Sequence, residues 1–161
     1  MTVTEYNKSV DDYSDGIYRF IVKNIGDSDK AKDIVQDTFM KLWQKIDEVN
    51  GEKVKSYLFT TAYHTMIDYI RKDNRITGLE QADYSGHKTS ETYSDTMEII
   101  NAAVKRLPEI QRTVILLRDY EGYSYNDIAE VTGLNESQVK VYIYRARVAL
   151  KEYLKSADLV I

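Results

Sequence analysis

The side chains best suited to do chemistry lie near the end of the chain, where cations, a hydroxyl and methyl groups recur at helical spacing over residues 136–148. At about 100° per residue, Val139, Ile143 and Ala146 form one apolar face of a helix. The opposite face and its flanks carry Ser137, Lys140, Val141, Tyr144, Arg145 and Val148. This mixture suits a DNA major groove, because the base edges offer hydrogen-bond donors, acceptors and thymine methyl groups beside the phosphates.

A helix-turn-helix motif would hold this face in place. Ser124 with Asp127 three residues later predicts a short, capped first helix. Gly133 permits a left-handed turn after it, and Asn135 with Gln138 predicts the start of the second helix. We expect the second helix to lie in a major groove with its N-terminal residues at the base edges. The simpler alternative is a helical hairpin with a solvated basic face.

Residue types needed for several other chemistries are missing or badly spaced. The chain has no cysteine, which excludes disulfides, thiolate zinc sites and cysteine nucleophiles. Its two histidines, His64 and His87, lie too far apart to form a metal-binding pair on one helix. There is no GxxxxGK phosphate-binding motif, and the acidic residues fall at periodic, solvated positions. We therefore predict that the chain is not an enzyme and uses no metal, cofactor or small-molecule substrate.

Charge is distributed unevenly along the 161 residues. The net charge is −4, but residues 51–75 hold five bases against three acids, and residues 136–155 hold five against two. Such segments can bind phosphate within an acidic protein, because screening confines the attraction to about 10 Å. No run approaches the roughly 20 apolar residues of a membrane helix, and residues 1–16 resemble neither a signal nor a transit peptide. We expect a cytoplasmic protein without membrane insertion.

Helical periodicity runs through most of the chain, and no strand pattern appears. Helices are predicted over about 5–24, 28–50, 54–72, 97–107, 108–122, 124–132 and 135–154. Residues 74–94 lack this periodicity and are rich in Ser, Thr, Gly and acids. A loop of roughly twenty residues is uncommon inside one compact domain. We therefore predict an all-α fold of two small helical domains, 1–75 and 94–161, joined by a flexible linker over 76–93.

Two long segments resemble one protein family. The first contains GDSDKAKDIVQDTFMKLWQKIDE and SYLFTTAYHTMIDYIRKDNR and resembles region 2 of the extracytoplasmic-function (ECF) RNA polymerase sigma factors. The second, LPEIQRTVILLRDYEGYSYNDIAEVTGLNESQVKVYIYRARVALKEYL, resembles region 4 of the same family. Their order, the position of the linker and the chain length are typical of it. The resemblance implies a transcription initiation factor that binds core RNA polymerase and directs it to promoters by recognising −10 and −35 elements.

The resemblance also implies partners and site residues. The expected partners are core RNA polymerase (its β′ coiled coil and β subunit), promoter DNA and an anti-sigma factor. The residues expected to bind the polymerase are Asp33, Gln36, Asp37 and Trp43. Those expected at the −10 element are Lys53, Lys55, Tyr57, Tyr63, His64, Arg71, Lys72 and Arg75. Those expected at the −35 element are Ser137, Lys140, Val141, Tyr144, Arg145 and Arg147.

Some positions depart from the family pattern or have a simpler interpretation. Many relatives have Arg-Asn where this chain has Tyr63-His64, and Val141-Tyr142 replaces the usual Ser-Arg. Aromatic residues such as Trp43, Phe59 and Tyr69 could belong to the core. Three other functions stay open on sequence alone: a dimeric helix-turn-helix regulator, a nucleic-acid enzyme, and an adaptor that bridges proteins. The first needs a dimerisation domain, the second a catalytic cluster, and the third has no use for a basic recognition face.

Overall fold

The computed structural model describes residues 1–76 and 95–156. All regular structure in these ranges is helical, as the sequence predicts. The elements are α1 Val3–Ile25, α2 Ser28–Gln44, a 3-10 turn Gly51–Lys53, α3 Val54–Ile76, α4 Asp95–Lys105, α5 Glu109–Ile115, a π-helical turn Leu116–Tyr120, α6 Tyr125–Thr132 and α7 Glu136–Ser156. The predicted linker, 76–93, lies outside the described residues apart from Ile76, which ends α3.

The described residues separate into two compact units, each with an apolar core. Residues 1–21 and 27–76 form the first unit, and residues 22–26 and 95–156 form the second. None of the described helices is long and apolar enough to cross a membrane. Within the same ranges, the side chains form no group of three or more potential metal ligands.

The first unit is a bundle in which α1, α2 and α3 each bury one face. Its core contains Ile17, Phe20 and Ile21 of α1, Ala31, Ile34, Phe39 and Leu42 of α2, and Leu58, Phe59, Ala62 and Met66 of α3. The rings of Phe20 and Phe59 pack with their centroids 5.9 Å apart. Burial of each large apolar side chain stabilises the fold by about 1.5–3 kcal/mol. This burial fixes which face of each helix is left for partners.

Helix α2 ends earlier than the periodicity predicts, at Gln44 and not near residue 50. The N–H of Lys45 donates to the carbonyl oxygen of Leu42 at 3.1 Å, which tightens the last turn before the chain leaves the helix. Ile46 and Val49, which the helical spacing placed in the core, are only half-buried in the turn that follows. The prediction was wrong here because apolar spacing continued past the point where the backbone turns.

Helix α3 ends later than predicted, at Ile76 and not near Lys72. Asp73, in the added turn, forms an ion pair with Lys30 of α2. Opposite charges on two adjacent helices favour the extension, although the pair is partly exposed and so contributes at most about 1 kcal/mol. The basic end of α3 is therefore part of a regular helix.

The second unit packs α7 against α4, α5 and α6. Its core contains Ala103 and Val104 of α4, Leu107 in the turn after α4, Val114 and Ile115 of α5, Leu116 and Leu117 of the π-helical turn, Tyr123 before α6, Ile128 and Val131 of α6, and Val139, Ile143 and Ala146 of α7. Pro108 takes the N-cap of α5, with ψ 148°, and not the predicted first helical position. The π-helical turn that follows α5 carries Arg118 and Asp119. Gly122, two residues after this turn, has φ +74°.

Candidate nucleic-acid and partner interfaces

The predicted helix-turn-helix is present, and its caps form as expected. Ser124 Oγ accepts a hydrogen bond from the N–H of Asp127 at 3.0 Å. Asn135 and Gln138 cap α7 reciprocally, each side chain accepting a hydrogen bond from the other's N–H, at 2.8 and 3.0 Å. Gly133 has φ +80°, a conformation that costs a residue with a Cβ about 1–2 kcal/mol. These local interactions fix where α7 begins and therefore which of its residues face outward.

Helix α7 turns one face into the core and the opposite face to solvent. Val139 is fully buried, whereas Val141, Tyr144 and Val148 are 45, 69 and 46% exposed. The residues that the sequence assigned to the −35 element are all exposed: Ser137, Lys140, Val141, Tyr144, Arg145 and Arg147. The outer face of α7 is therefore open to a ligand over about three turns.

Cation–π contacts hold three basic side chains around this face. The guanidinium of Arg118 and the ammonium of Lys140 lie 4.3 and 5.5 Å from the ring centroid of Tyr125, at the start of α6. Arg145 lies 5.8 Å from the ring of Tyr142. At exposed sites such contacts contribute about 0.5–1 kcal/mol each. They therefore orient the three cations but are weak enough to be exchanged for contacts with a ligand. Sequence reasoning missed Arg118 and Tyr125, because helical spacing does not reveal contacts made across the turn between two helices.

Arg147 has a partner within the protein. Its Nη2 and Nε atoms donate to the two carboxylate oxygens of Asp119 at 2.6 and 3.2 Å. These hydrogen bonds raise the pKa of Arg147 above its ordinary value. The bidentate pair joins α7 to the π-helical turn 28 residues earlier. Arg147, which the resemblance implied as a DNA contact, thus lies exposed on the flank of α7 and also forms an ion pair within the protein.

The residues assigned to polymerase binding share the solvent face of α2. That face, the α2 surface, consists of Asp33, Gln36, Asp37, Met40 and Trp43. Trp43 is 49% exposed, and its ring meets the ring of Tyr6 edge-on with centroids 5.1 Å apart. Trp43 therefore packs with one side of its ring against Tyr6 and leaves about half of its surface exposed. Met40, which the sequence reasoning passed over, adds an exposed apolar side chain between the acidic end and Trp43.

Tyr69 of α3 belongs with the α2 surface. Burial, together with the nearby carboxylates of Asp33, Asp37 and Asp73, raises the pKa of Tyr69. Tyr69 therefore lies near these carboxylates. At about 100° per residue, it is on a different side of α3 from Tyr57 and His64.

The residues expected at the −10 element divide between the surface and the core. Tyr57, His64 and Arg71 follow one another at seven-residue spacing along α3, which places them on one side of the helix. His64 and Arg71 are exposed and Tyr57 is half-buried; these three are called the α3 strip. Tyr63 is only 8% exposed, with its ring centroid 5.5 Å from that of His64, and Phe59 is a core residue.

Basic side chains surround the α3 strip. Lys53, in the 3-10 turn before α3, and Lys72, near its end, are exposed, while Lys55 is half-buried. Arg75 lies in the last turn of α3, and its side chain is outside the described residues. Cations at both ends of an exposed polar strip suit a single nucleic-acid strand, whose phosphates run alongside its bases.

Comparison with known proteins identifies both halves of the chain. Residues 10–76 match the family model for sigma-70 region 2, and residues 97–150 match that for sigma-70 region 4. The RNA polymerase sigma factor SigV of Bacillus subtilis (strain 168) is 31% identical over 153 residues, covering 93% of this chain and 91% of that protein. The ECF RNA polymerase sigma factor EcfG of Rhodopseudomonas palustris (strain TIE-1) is 31% identical over 141 residues, covering 84 and 77%.

A solved structure agrees in fold as well as in sequence. The sigma factor RpoE of Bartonella quintana, crystallised with the anti-sigma factor NepR, matches with a TM-score of 0.81 and 28% identity. The match covers 95% of this chain and 98% of that one. The helix-turn-helix geometry, the two matched regions and the identity over nearly the whole chain lead to one conclusion. The chain belongs to the ECF RNA polymerase sigma factors of the sigma-70 family, which are promoter-specific transcription initiation factors.

Proposed function

We propose that this sigma factor docks on core RNA polymerase through the α2 surface, opens the −10 element with the α3 strip, and reads the −35 element with the outer face of α7. Residues 1–75 and 94–161 act as the two domains, with the β′ coiled coil and the β subunit as their docking sites on the polymerase. The observation that carries the proposal is the outer face of α7, a solvent-exposed mixture of hydroxyl, methyl and basic groups on the second helix of a capped helix-turn-helix.

The first test is transcription in vitro on a genomic library, with start sites mapped in the presence and absence of the chain. With core polymerase, we expect initiation at defined sites that share upstream and downstream elements. The chain alone should bind duplex DNA weakly, because its net charge is −4. Specific, nanomolar binding by the chain alone, with no effect of polymerase, would contradict the proposal.

The α2 surface is tested by two matched substitutions of exposed aspartates. Asp33→Ala changes the α2 surface, and Asp11→Ala makes the same change on α1. If Asp33 lies in the interface with polymerase, its loss should weaken the binding of labelled chain to core enzyme about fivefold or more, since interface residues that matter cost above about 1 kcal/mol. Asp11→Ala should bind like wild type. Equal affinities for both variants would place the polymerase contact elsewhere.

The outer face of α7 is tested with Lys140→Ala and Arg145→Ala in the holoenzyme. Loss of a phosphate contact should weaken all promoters alike and lower the slope of log affinity against log salt by about one unit. Loss of a base contact should relax discrimination at one position by about 1–3 kcal/mol. Both side chains are exposed, so the folding and the polymerase affinity of the variants should be unchanged. Wild-type transcription by both variants on a −35-dependent promoter would show that the face is misassigned.

The α3 strip is tested through promoter opening. A stacked, unpaired base gains about 1–3 kcal/mol on an aromatic surface, which Tyr57 and His64 could supply beside Arg71. We expect Arg71→Ala to reduce the permanganate reactivity of thymines in the −10 element while promoter binding persists. Arg19→Ala, the same change at an exposed position of α1, is the control. Full opening by the Arg71 variant would exclude this role.

Regulation by an anti-sigma factor is also part of the proposal. Its support is the structural similarity to a sigma factor that was crystallised with one. An inhibitor of this kind should compete with core polymerase for the chain in the same binding titration. Both encounters would occur in the cytoplasm, where the polymerase is. An inhibitor that binds the chain without displacing polymerase would contradict this mode of regulation.

A further inference from the structure

The centre of the outer face of α7 is apolar. Val141, Tyr144 and Val148 recur at spacings of three and four residues, as buried residues do, yet 45 to 69% of each is exposed. Ser137 continues this line toward the N-terminus of the helix. These four residues are called the outer stripe. The outer stripe does not pack in the core, because the opposite face of α7, on which Val139 is fully buried, does so.

The basic side chains lie beside the stripe and not on it. At about 100° per residue, Lys140 and Arg147 fall on one flank of the stripe and Arg145 on the other. The side chain of Lys140 reaches sideways to the ring of Tyr125, that of Arg145 lies over the ring of Tyr142, and Arg147 is held by Asp119. This arrangement suits two rows of phosphates at the walls of a groove. It leaves methyl groups, a phenol and a hydroxyl to face the floor.

We infer that the outer stripe reads thymine methyl groups in the upstream promoter element. The inference rests on the proposed function, in which α7 lies in a major groove. The thymine C5-methyl is the apolar group that a base pair presents there, and apolar side chains contact it. Val141 or Val148 against a guanine or cytosine edge would instead bury a donor or acceptor without a partner, which is unfavourable. The outer stripe therefore favours thymine, whereas an arginine at the same position of the helix would favour guanine.

A protein partner is the other occupant that an exposed apolar stripe could have. The charge distribution favours DNA, because residues 136–155 hold five bases against two acids and the nearest cations flank the stripe on both sides. The outer side of the N-terminal half of α7 is also exposed, and this is the half that meets base edges in the motif.

The test removes single methyl groups from DNA. In the promoter duplex found by start-site mapping, each thymine of the upstream element is replaced in turn by deoxyuridine, which lacks only the C5-methyl. Affinity is measured for the holoenzyme with wild-type chain, Val141→Ala and Lys140→Ala. A contacted methyl should be worth about fourfold in affinity. In the Val141→Ala holoenzyme the effect at one thymine should fall to near onefold, whereas the Lys140→Ala holoenzyme should keep it, because Lys140 is a flank residue.

Two results would overturn the inference while leaving the proposed function intact. In the first, every deoxyuridine duplex binds like the parent duplex although the holoenzyme still initiates at that promoter. In the second, Val141→Ala weakens binding to core polymerase or another protein and leaves each thymine effect unchanged, which would make the stripe a protein contact. Failure of the holoenzyme to initiate at any defined site would instead refute the proposed function itself. Thermal unfolding of Val141→Ala checks that the variant is folded.

Discussion

Val139 and Val141 lie two residues apart on opposite faces of α7 and offer a matched test of what holds the second unit together. Val139 is fully buried and Val141 is 45% exposed. The substitution Val→Ala removes the same two methyl groups at each position and improves helix propensity by the same amount, about 0.5 kcal/mol. The difference between the two variants in free energy of unfolding therefore reports burial, free of the propensity change.

The expected difference is about 1–2 kcal/mol. At Val139, transfer of two methyl groups is worth about 1.6 kcal/mol. A cavity of about 40 Å³ adds up to about 1 kcal/mol if the core does not collapse around it. At Val141 about half of the transfer value applies and no closed cavity forms, so the propensity gain nearly offsets the loss. For a unit of this size, 1–2 kcal/mol corresponds to a fall in Tm of about 4–16 °C.

Urea unfolding of the full chain, followed by circular dichroism, measures this difference. We expect Val139→Ala to lower the midpoint of the second unit without changing the m-value, since the surface exposed on unfolding is nearly the same. Val141→Ala should stay within about 0.5 kcal/mol of wild type. Equal midpoints for the two variants would refute the orientation of α7, and with it the assignment of its outer face to DNA.

Three further predictions concern individual contacts. Ser124→Ala removes the acceptor for the N–H of Asp127; this should cost about 1 kcal/mol and lower the Tm of the second unit by about 4–8 °C, and an unchanged melt would show that the cap is dispensable. Asp119→Asn weakens the pair with Arg147, whose side chain is 51% exposed. The loss in free energy of unfolding should stay below about 1 kcal/mol and disappear in 1 M salt. A loss that is the same in 1 M salt would contradict this. Burial raises the pKa of Tyr6, so its contribution to stability is fully present below about pH 10 and is lost as pH rises through the folded pKa. Tyr6→Phe should flatten that part of the alkaline decline in urea midpoints, and an identical decline would contradict it.

The sequence alone determined the helical character, the caps and the family. Ser124, Gly133 and Asn135 act through partners three or four residues away, so local spacing is enough to predict the short helix, the left-handed turn and the start of α7. The inner stripe of α7 follows from the same spacing, because an amphipathic helix has one face to bury. The two family segments fixed the class of protein without any knowledge of how the helices pack.

The tertiary structure decided where side chains go once the helices pack. Spacing could not tell that Tyr63 turns largely inward while His64, the next residue, turns outward, since that depends on which side of α3 meets its neighbours. Nor could it foresee that Arg147 binds Asp119, because the two are 28 residues apart and meet only across the packed helices. Long basic side chains reach partners well beyond their own turn. Their position on a helix is therefore set by sequence, whereas the group that each one contacts is set by the surrounding fold.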